Sequence, residues 1–118
     1  MRTNFGNSEA KLLTGVYAGG STSANISIIA GIAGQRIRVL GWNAQSGTGV
    51  SGVYRFIDGS GGGALTPYTT APPNTSGILF QQPVIDPGYF ETSTGVGLFA
   101  DFSTAGTNFY VFYITYVP

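Results

Sequence analysis

The sequence predicts an all-β protein, a jelly-roll-like β-sandwich of about eight antiparallel strands. Three observations support this fold class. Glycine supplies 19 of the 118 residues. No window of about eleven residues keeps the apolar spacing of an amphipathic helix. Short apolar runs recur along the chain, and clusters of turn-forming residues separate them.

The predicted strands are short and lie in a single domain, residues 11–118, which suits the length of the chain. They span Lys11–Tyr17, Ser23–Ala30, Gln35–Gln45, Gly52–Asp58, Ala64–Thr69, Gly77–Pro83, Gly95–Ser103 and Asn108–Val117. Residues 1–10 precede this domain as a polar arm. The arm is either a disordered terminus or a segment that becomes ordered on a neighbouring subunit.

The last predicted strand, Asn108–Val117, is uncharged and largely apolar on both faces. Successive side chains of a strand point to opposite faces. One set is expected to fill the core: Phe109, Val111, Tyr113 and Val117. The other set is expected to contact copies of the chain or a larger partner: Tyr110, Phe112, Ile114 and Tyr116. The alternative is that tyrosine hydroxyls leave this outer face half polar and in contact with water.

The strand Gln35–Gln45 combines a core face with a second interface candidate. Its outer face would carry Arg beside Leu and Trp, a composition typical of interfaces: Arg36, Arg38, Leu40 and Trp42. Alternatively, a bulge at Gly41 turns Trp42 into the core. We expect Arg36 or Arg38 to pair with Glu91 or Asp101. Across the domain, alternation predicts a core of Ile37, Val39, Tyr54, Phe56, Leu98 and Phe102.

Composition argues against most chemistry. Charged residues make up 8% of the chain, against about 25% in typical proteins, and five basic residues balance five acidic ones. Such a surface has little field to attract nucleic acid or an anionic membrane. The chain has no cysteine and no histidine. Each candidate carboxylate fits a simpler structural role: Asp58, Asp86, Glu91 and Asp101. We therefore expect no enzyme activity and no catalytic, cofactor or metal site.

Two segments carry a family resemblance. The stretch Ile28–Leu40 (IIAGIAGQRIRVL) and the later Pro87–Thr92 (PGYFET), followed by Gly95–Phe102, resemble small β-rich structural proteins of tailed bacteriophages. In such phages, small jelly-roll proteins of this length typically decorate or cement the capsid, often as trimers.

The resemblance implies a capsid decoration, or cement, protein. Its partners would be itself, as a homotrimer, and the major capsid protein, with no nucleic acid and no membrane. It would be made in the host cytoplasm and located on the virion surface. The alternative is a carbohydrate- or receptor-binding module of a phage tail or fibre. That module would use exposed aromatic residues around a concave groove: Trp42, Tyr54, Tyr68 or Tyr89.

Overall fold

The computed structural model of the chain describes residues 4–5, 8–9, 11–15, 25–47, 52–73, 80–85, 87–102 and 107–118, with only the backbone for the strands before residue 26 and for Phe102. All the secondary-structure elements in these ranges are β-strands. The strands are β1 (Asn4–Phe5), β2 (Ser8–Glu9), β3 (Lys11–Gly15), β4 (Asn25–Ile29), β5 (Arg36–Ser46), β6 (Gly52–Asp58), β7 (Thr69–Ala71), β8 (Phe80–Gln82), β9 (Phe90–Glu91), β10 (Leu98–Phe102) and β11 (Thr107–Tyr116).

Two antiparallel sheets form the body of the protein. A four-stranded sheet has the order β4-β10-β6-β7, and a five-stranded sheet has the order β3-β11-β5-β8, with β9 also pairing with β5. From β3 to β6, each strand lies in the opposite sheet from the strand before it. β7 remains in the four-stranded sheet beside β6, and β8 and β9 both lie in the five-stranded sheet. β10 then returns to the four-stranded sheet and β11 to the five-stranded sheet. The predicted antiparallel β-sandwich is confirmed, and its strand order is compatible with the two Greek keys of a jelly roll.

Aromatic rings from both sheets meet in the core. The ring centroids of Trp42 in β5 and Phe56 in β6 are 5.3 Å apart, and those of Tyr54 and Phe109 are 5.1 Å apart. Both contacts are edge-to-face, an arrangement that aromatic pairs favour. Five of the predicted core residues are at most 1% exposed: Ile37, Val39, Tyr54, Phe56 and Leu98. The side chain of Phe102, the sixth, lies outside the described residues.

A β-bulge interrupts the pairing of β5 with β11. Phe112 lies opposite Gly41, whereas the next residue, Tyr113, lies opposite Val39. Leu40 is therefore an extra residue in β5. One extra residue inverts the alternation of every side chain that follows it in the strand.

The bulge decides the position of the single tryptophan. Arg36 and Arg38, before the bulge, lie on the outer face, but Trp42 after it points into the core and is 5% exposed. The expectation that Trp42 is an outer interface residue is wrong. The alternative, in which a bulge turns Trp42 into the core, is confirmed, although the extra residue is Leu40 and not its neighbour Gly41.

Strand bounds follow the predictions except in the middle of the chain. β6 matches its predicted range, and β4, β5, β10 and β11 differ by three residues or fewer at each described end. The strand predicted at Ala64–Thr69 is instead Thr69–Ala71, and Ala64 forms only an isolated bridge with Ile57. Pro67 has no N–H for a ladder there. The short β9 was not predicted.

The arm of residues 1–10 contains the antiparallel pair β1–β2, in which Asn4 lies opposite Glu9. β2 lies near β11. The remaining residues of the arm, and parts of the ranges predicted for the first and sixth strands, lie outside the described residues. Within the described ranges, no helix is long and apolar enough to cross a membrane.

Candidate interaction surface

β11 lies between β3 and β5, in the interior of its sheet, and its two faces have separate roles. Phe109 and Val111 are fully buried in the core, and Tyr113 packs against it. This confirms the core face of the strand over those three residues. Val117 follows the end of β11 and is 74% exposed, so its predicted place in the core is wrong.

The outer β11 face consists of Tyr110, Phe112, Ile114 and Tyr116, with Leu40 of β5 beside them. Tyr110 is 47% exposed, and Phe112 and Tyr116 are half-buried. Ile114 and Leu40 are at most 1% exposed. The prediction that these two residues contact a partner is wrong, because other residues of the same chain cover them. They can support the outer β11 face from within but cannot touch a partner.

A charged cluster lies at the Tyr116 end of this face. β9 places Glu91 opposite Arg38, and the Glu91 Oε2 atom accepts hydrogen bonds from Arg38 Nε and Nη2, both at 3.1 Å. Arg36 Nη1 lies 2.9 Å from Glu91 Oε1. Tyr116 donates its hydroxyl to Glu91, and the Arg38 guanidinium lies 4.8 Å from the centre of the Tyr116 ring. The predicted pairing of these arginines with Glu91 is confirmed.

The cluster holds its carboxylate in the charged form. Partial burial alone would raise the pKa of Glu91, but hydrogen bonds from Tyr116, Arg36 and Arg38 outweigh burial and lower the pKa below its ordinary value. Two guanidinium groups face one carboxylate, so the cluster carries an excess positive charge. Its side chains remain 27–39% exposed, which makes it a polar border to the apolar face.

The outer face of the four-stranded sheet differs in character. Arg55 and Asp101 form an ion pair of 3.1 Å across β6 and β10. Tyr68 donates its hydroxyl to Asp101 over 3.0 Å, and the Arg55 guanidinium lies 4.5 Å from the centre of the Tyr68 ring. Charges thus occupy the middle of this face, whereas the outer β11 face has none between Tyr110 and Ile114.

Of the two remaining candidate carboxylates, Asp58 has structural contacts. Asp58 accepts hydrogen bonds from the backbone N–H and the hydroxyl of Ser93. Asp86 lies outside the described residues. Within the described part of the chain, no group of three or more His, Cys, Asp or Glu could hold a metal ion.

The four aromatic residues of the carbohydrate alternative do not share one groove. Trp42 and Tyr54 are core residues, and the Trp42 indole N–H donates to the Tyr54 hydroxyl over 2.8 Å. Tyr68 lies on the outer face of the four-stranded sheet. Tyr89 does border a cavity with Trp42, together with residues that the sequence reasoning missed: Phe80, Gln82 and Phe90. Alternation within the predicted strand Gly77–Pro83 could have placed Phe80 and Gln82 on one face.

Comparison with known proteins gives no relative: no family model, no curated protein and no solved structure matches this chain.

Proposed function

We propose that this chain is a structural protein that acts by assembly, as a capsid decoration or cement protein. It forms a homotrimer and binds the major capsid protein on the outer surface of a tailed-phage capsid. The observation that carries the proposal is the outer β11 face, an uncharged aromatic and aliphatic surface in the middle of a sheet. The resemblance of Ile28–Leu40 and Pro87–Thr92 to phage structural proteins and the jelly-roll-compatible strand order support the location.

The outer β11 face has the layout of an interface. Apolar and aromatic groups occupy its centre, and the Arg36–Arg38–Glu91 cluster forms a polar border, as the rims of protein interfaces do. Exposed Tyr110 supplies an amphipathic ring of the kind enriched at binding hot spots. A trimer places this face against a different patch of the next copy, because a threefold ring is built from head-to-tail contacts.

The core of the subunit is formed by residues of a single chain. The solvent-accessible surface of the subunit is 5919 Å², close to the roughly 6,100 Å² expected for a folded monomer of this mass. Assembly therefore adds contacts to a subunit with a complete core. A standard interface buries about 1,200–2,000 Å² in total, and burying that area across capsomer boundaries is how a cement protein strengthens a shell.

The test changes one exposed tyrosine on each sheet. Tyr110→Lys places a charge in the apolar face, and Tyr68→Lys is the matched control, since Tyr68 is 49% exposed and Tyr110 is 47% exposed. Light scattering after size-exclusion chromatography should show a trimer for the parent chain and the control, and a monomer with an unchanged β spectrum for Tyr110→Lys. A monomeric parent chain, or equal masses for the two variants, would contradict the assembly surface.

The capsid location needs its own measurement. Antibodies raised against the purified chain should label the outer surface of virus particles recovered from cells that produce it. Purified chain should also raise the temperature at which particles stripped of it release their DNA. Labelling of tails or fibres alone would replace the capsid location by the tail alternative.

A further inference from the structure

A cavity of about 300 Å³ lies between the two sheets on the side of the sandwich where both end in a short edge strand. β7 is the edge of one sheet and β8 the edge of the other. Trp42, Phe80 and Gln82 border the cavity from the five-stranded sheet. The remaining walls come from the first residues of β7 and β9 and from the segments that precede them: Leu65, Thr66, Pro67, Thr69, Tyr89 and Phe90.

The walls of the cavity are rings arranged around Trp42. The Phe80 ring stacks on the indole at 6.0 Å and 25°, while Tyr89 and Phe90 approach it edge-on at 5.4 and 5.8 Å. No wall residue is charged. An ionised ligand held against these half-buried rings would lose part of its hydration without gaining a counter-charge from the walls. The cavity therefore suits a neutral molecule.

Most polar groups of the walls already have internal partners. The Trp42 indole N–H donates to Tyr54, and the Tyr89 hydroxyl donates to the Pro83 carbonyl over 2.7 Å. Thr66 Oγ1 accepts from the Phe56 N–H, and Thr69 Oγ1 donates to the Pro67 carbonyl.

The Gln82 side-chain amide is the exception, because it makes no hydrogen bond with another described residue. A sugar held here would find few free hydrogen-bond partners among the wall residues for its several hydroxyls. An apolar ring with one hydroxyl needs only one hydrogen-bond partner, and the Gln82 side-chain amide can be that partner.

We propose that this cavity is a binding site for a neutral, mostly apolar six-membered ring that carries one hydroxyl or carbonyl group, which Gln82 recognises. The size fits, because a cavity of about 150 Å³ already admits benzene. The site is separate from the outer β11 face, so it stands or falls independently of the assembly proposal.

Cyclohexanol and glucose are suitable probes, because both present a six-membered ring but only glucose is hydroxylated around it. Trp42 is the only tryptophan, so its fluorescence reports directly on the cavity. Cyclohexanol should change the Trp42 emission saturably, with a dissociation constant on the order of 1–10 mM, and glucose should not. No saturable change with cyclohexanol would overturn the proposal, and saturable binding of glucose would replace it by a carbohydrate site.

A matched pair of variants tests whether cyclohexanol binds in this cavity. Gln82 lies opposite Trp42 and Gln81 opposite Asn43, so the two glutamines project to opposite faces of β8. Gln82→Phe fills the cavity and should weaken cyclohexanol binding at least tenfold, whereas Gln81→Phe should leave it unchanged. Equal binding by both variants would refute the site.

A second measurement on the parent chain does not depend on either variant folding. Nuclear Overhauser effects should connect the cyclohexanol ring protons with the Trp42 indole protons, and their absence at saturation would also refute the site.

Discussion

The hydrogen bond from the Trp42 indole to Tyr54 gives a quantitative test of the core. Trp42→Phe removes the donor and leaves the Tyr54 hydroxyl, which is fully buried, without its partner. An unsatisfied buried group costs about 1–3 kcal/mol, and the smaller ring leaves part of the roughly 3–5 kcal/mol cavity cost of a full truncation. We expect a total loss of about 2–4 kcal/mol. For 118 residues this lowers Tm by about 8–16 °C, at about 4 °C per kcal/mol.

A double-mutant cycle of Trp42 and Tyr54 distinguishes the free energy of this hydrogen bond from a simple loss of packing. Tyr54→Phe alone should cost about 1–2 kcal/mol, and the double variant should be less destabilised than the sum of the single changes by about 1 kcal/mol. Urea unfolding followed by far-ultraviolet circular dichroism measures all four free energies. Protein concentration must be held constant, because self-association makes apparent stability concentration-dependent.

Two results would refute this account of Trp42. One is a coupling free energy below about 0.3 kcal/mol, which is within the error of additivity. The other is parent-chain fluorescence with the emission maximum of a fully water-exposed indole. That second result would place Trp42 on the outer face and would mean that β5 has no bulge.

Two further variants test the bulge and the charged cluster. A Cβ at Gly41 would lie 2.8 Å from the Gln82 carbonyl oxygen and 2.9 Å from the Val84 amide nitrogen, so Gly41→Ala should destabilise the protein by about 1–3 kcal/mol. Gly47→Ala, where a Cβ would have no neighbour within 4 Å, should stay within about 0.5 kcal/mol, and equal urea midpoints for the two would contradict the close approach. Because the pKa of folded Glu91 lies below its ordinary value of 4.5, its stabilising contribution is present above that value and is lost as pH falls through the lowered folded pKa. Glu91→Gln should therefore be less stable than the parent chain at pH 7 and approach it in acid, whereas a pH-independent difference would show that the charge of Glu91 contributes nothing.

The alternating pattern of the sequence was sufficient for the fold class and for much of the core. Ile37 and Val39 lie two residues apart in β5 before its bulge, Tyr54 and Phe56 lie two residues apart in β6, and both members of each pair are buried as expected. The pairing of Arg36 and Arg38 with Glu91 could be anticipated for a simpler reason. Among only five basic and five acidic residues, two arginines that alternate on one strand have few possible partners.

By itself, the sequence determined that this chain is an antiparallel β-protein with an uncharged last strand, because period-two alternation and turn residues are local properties. The tertiary structure alone decided that Leu40 is an extra residue, that Trp42 therefore turns inward, and that Leu40 and Ile114 are covered within the chain. It also decided that β7 and β8, the edge strands of different sheets, border one aromatic cavity. These outcomes depend on which strands pair and in which register, and register follows from contacts between segments far apart in sequence.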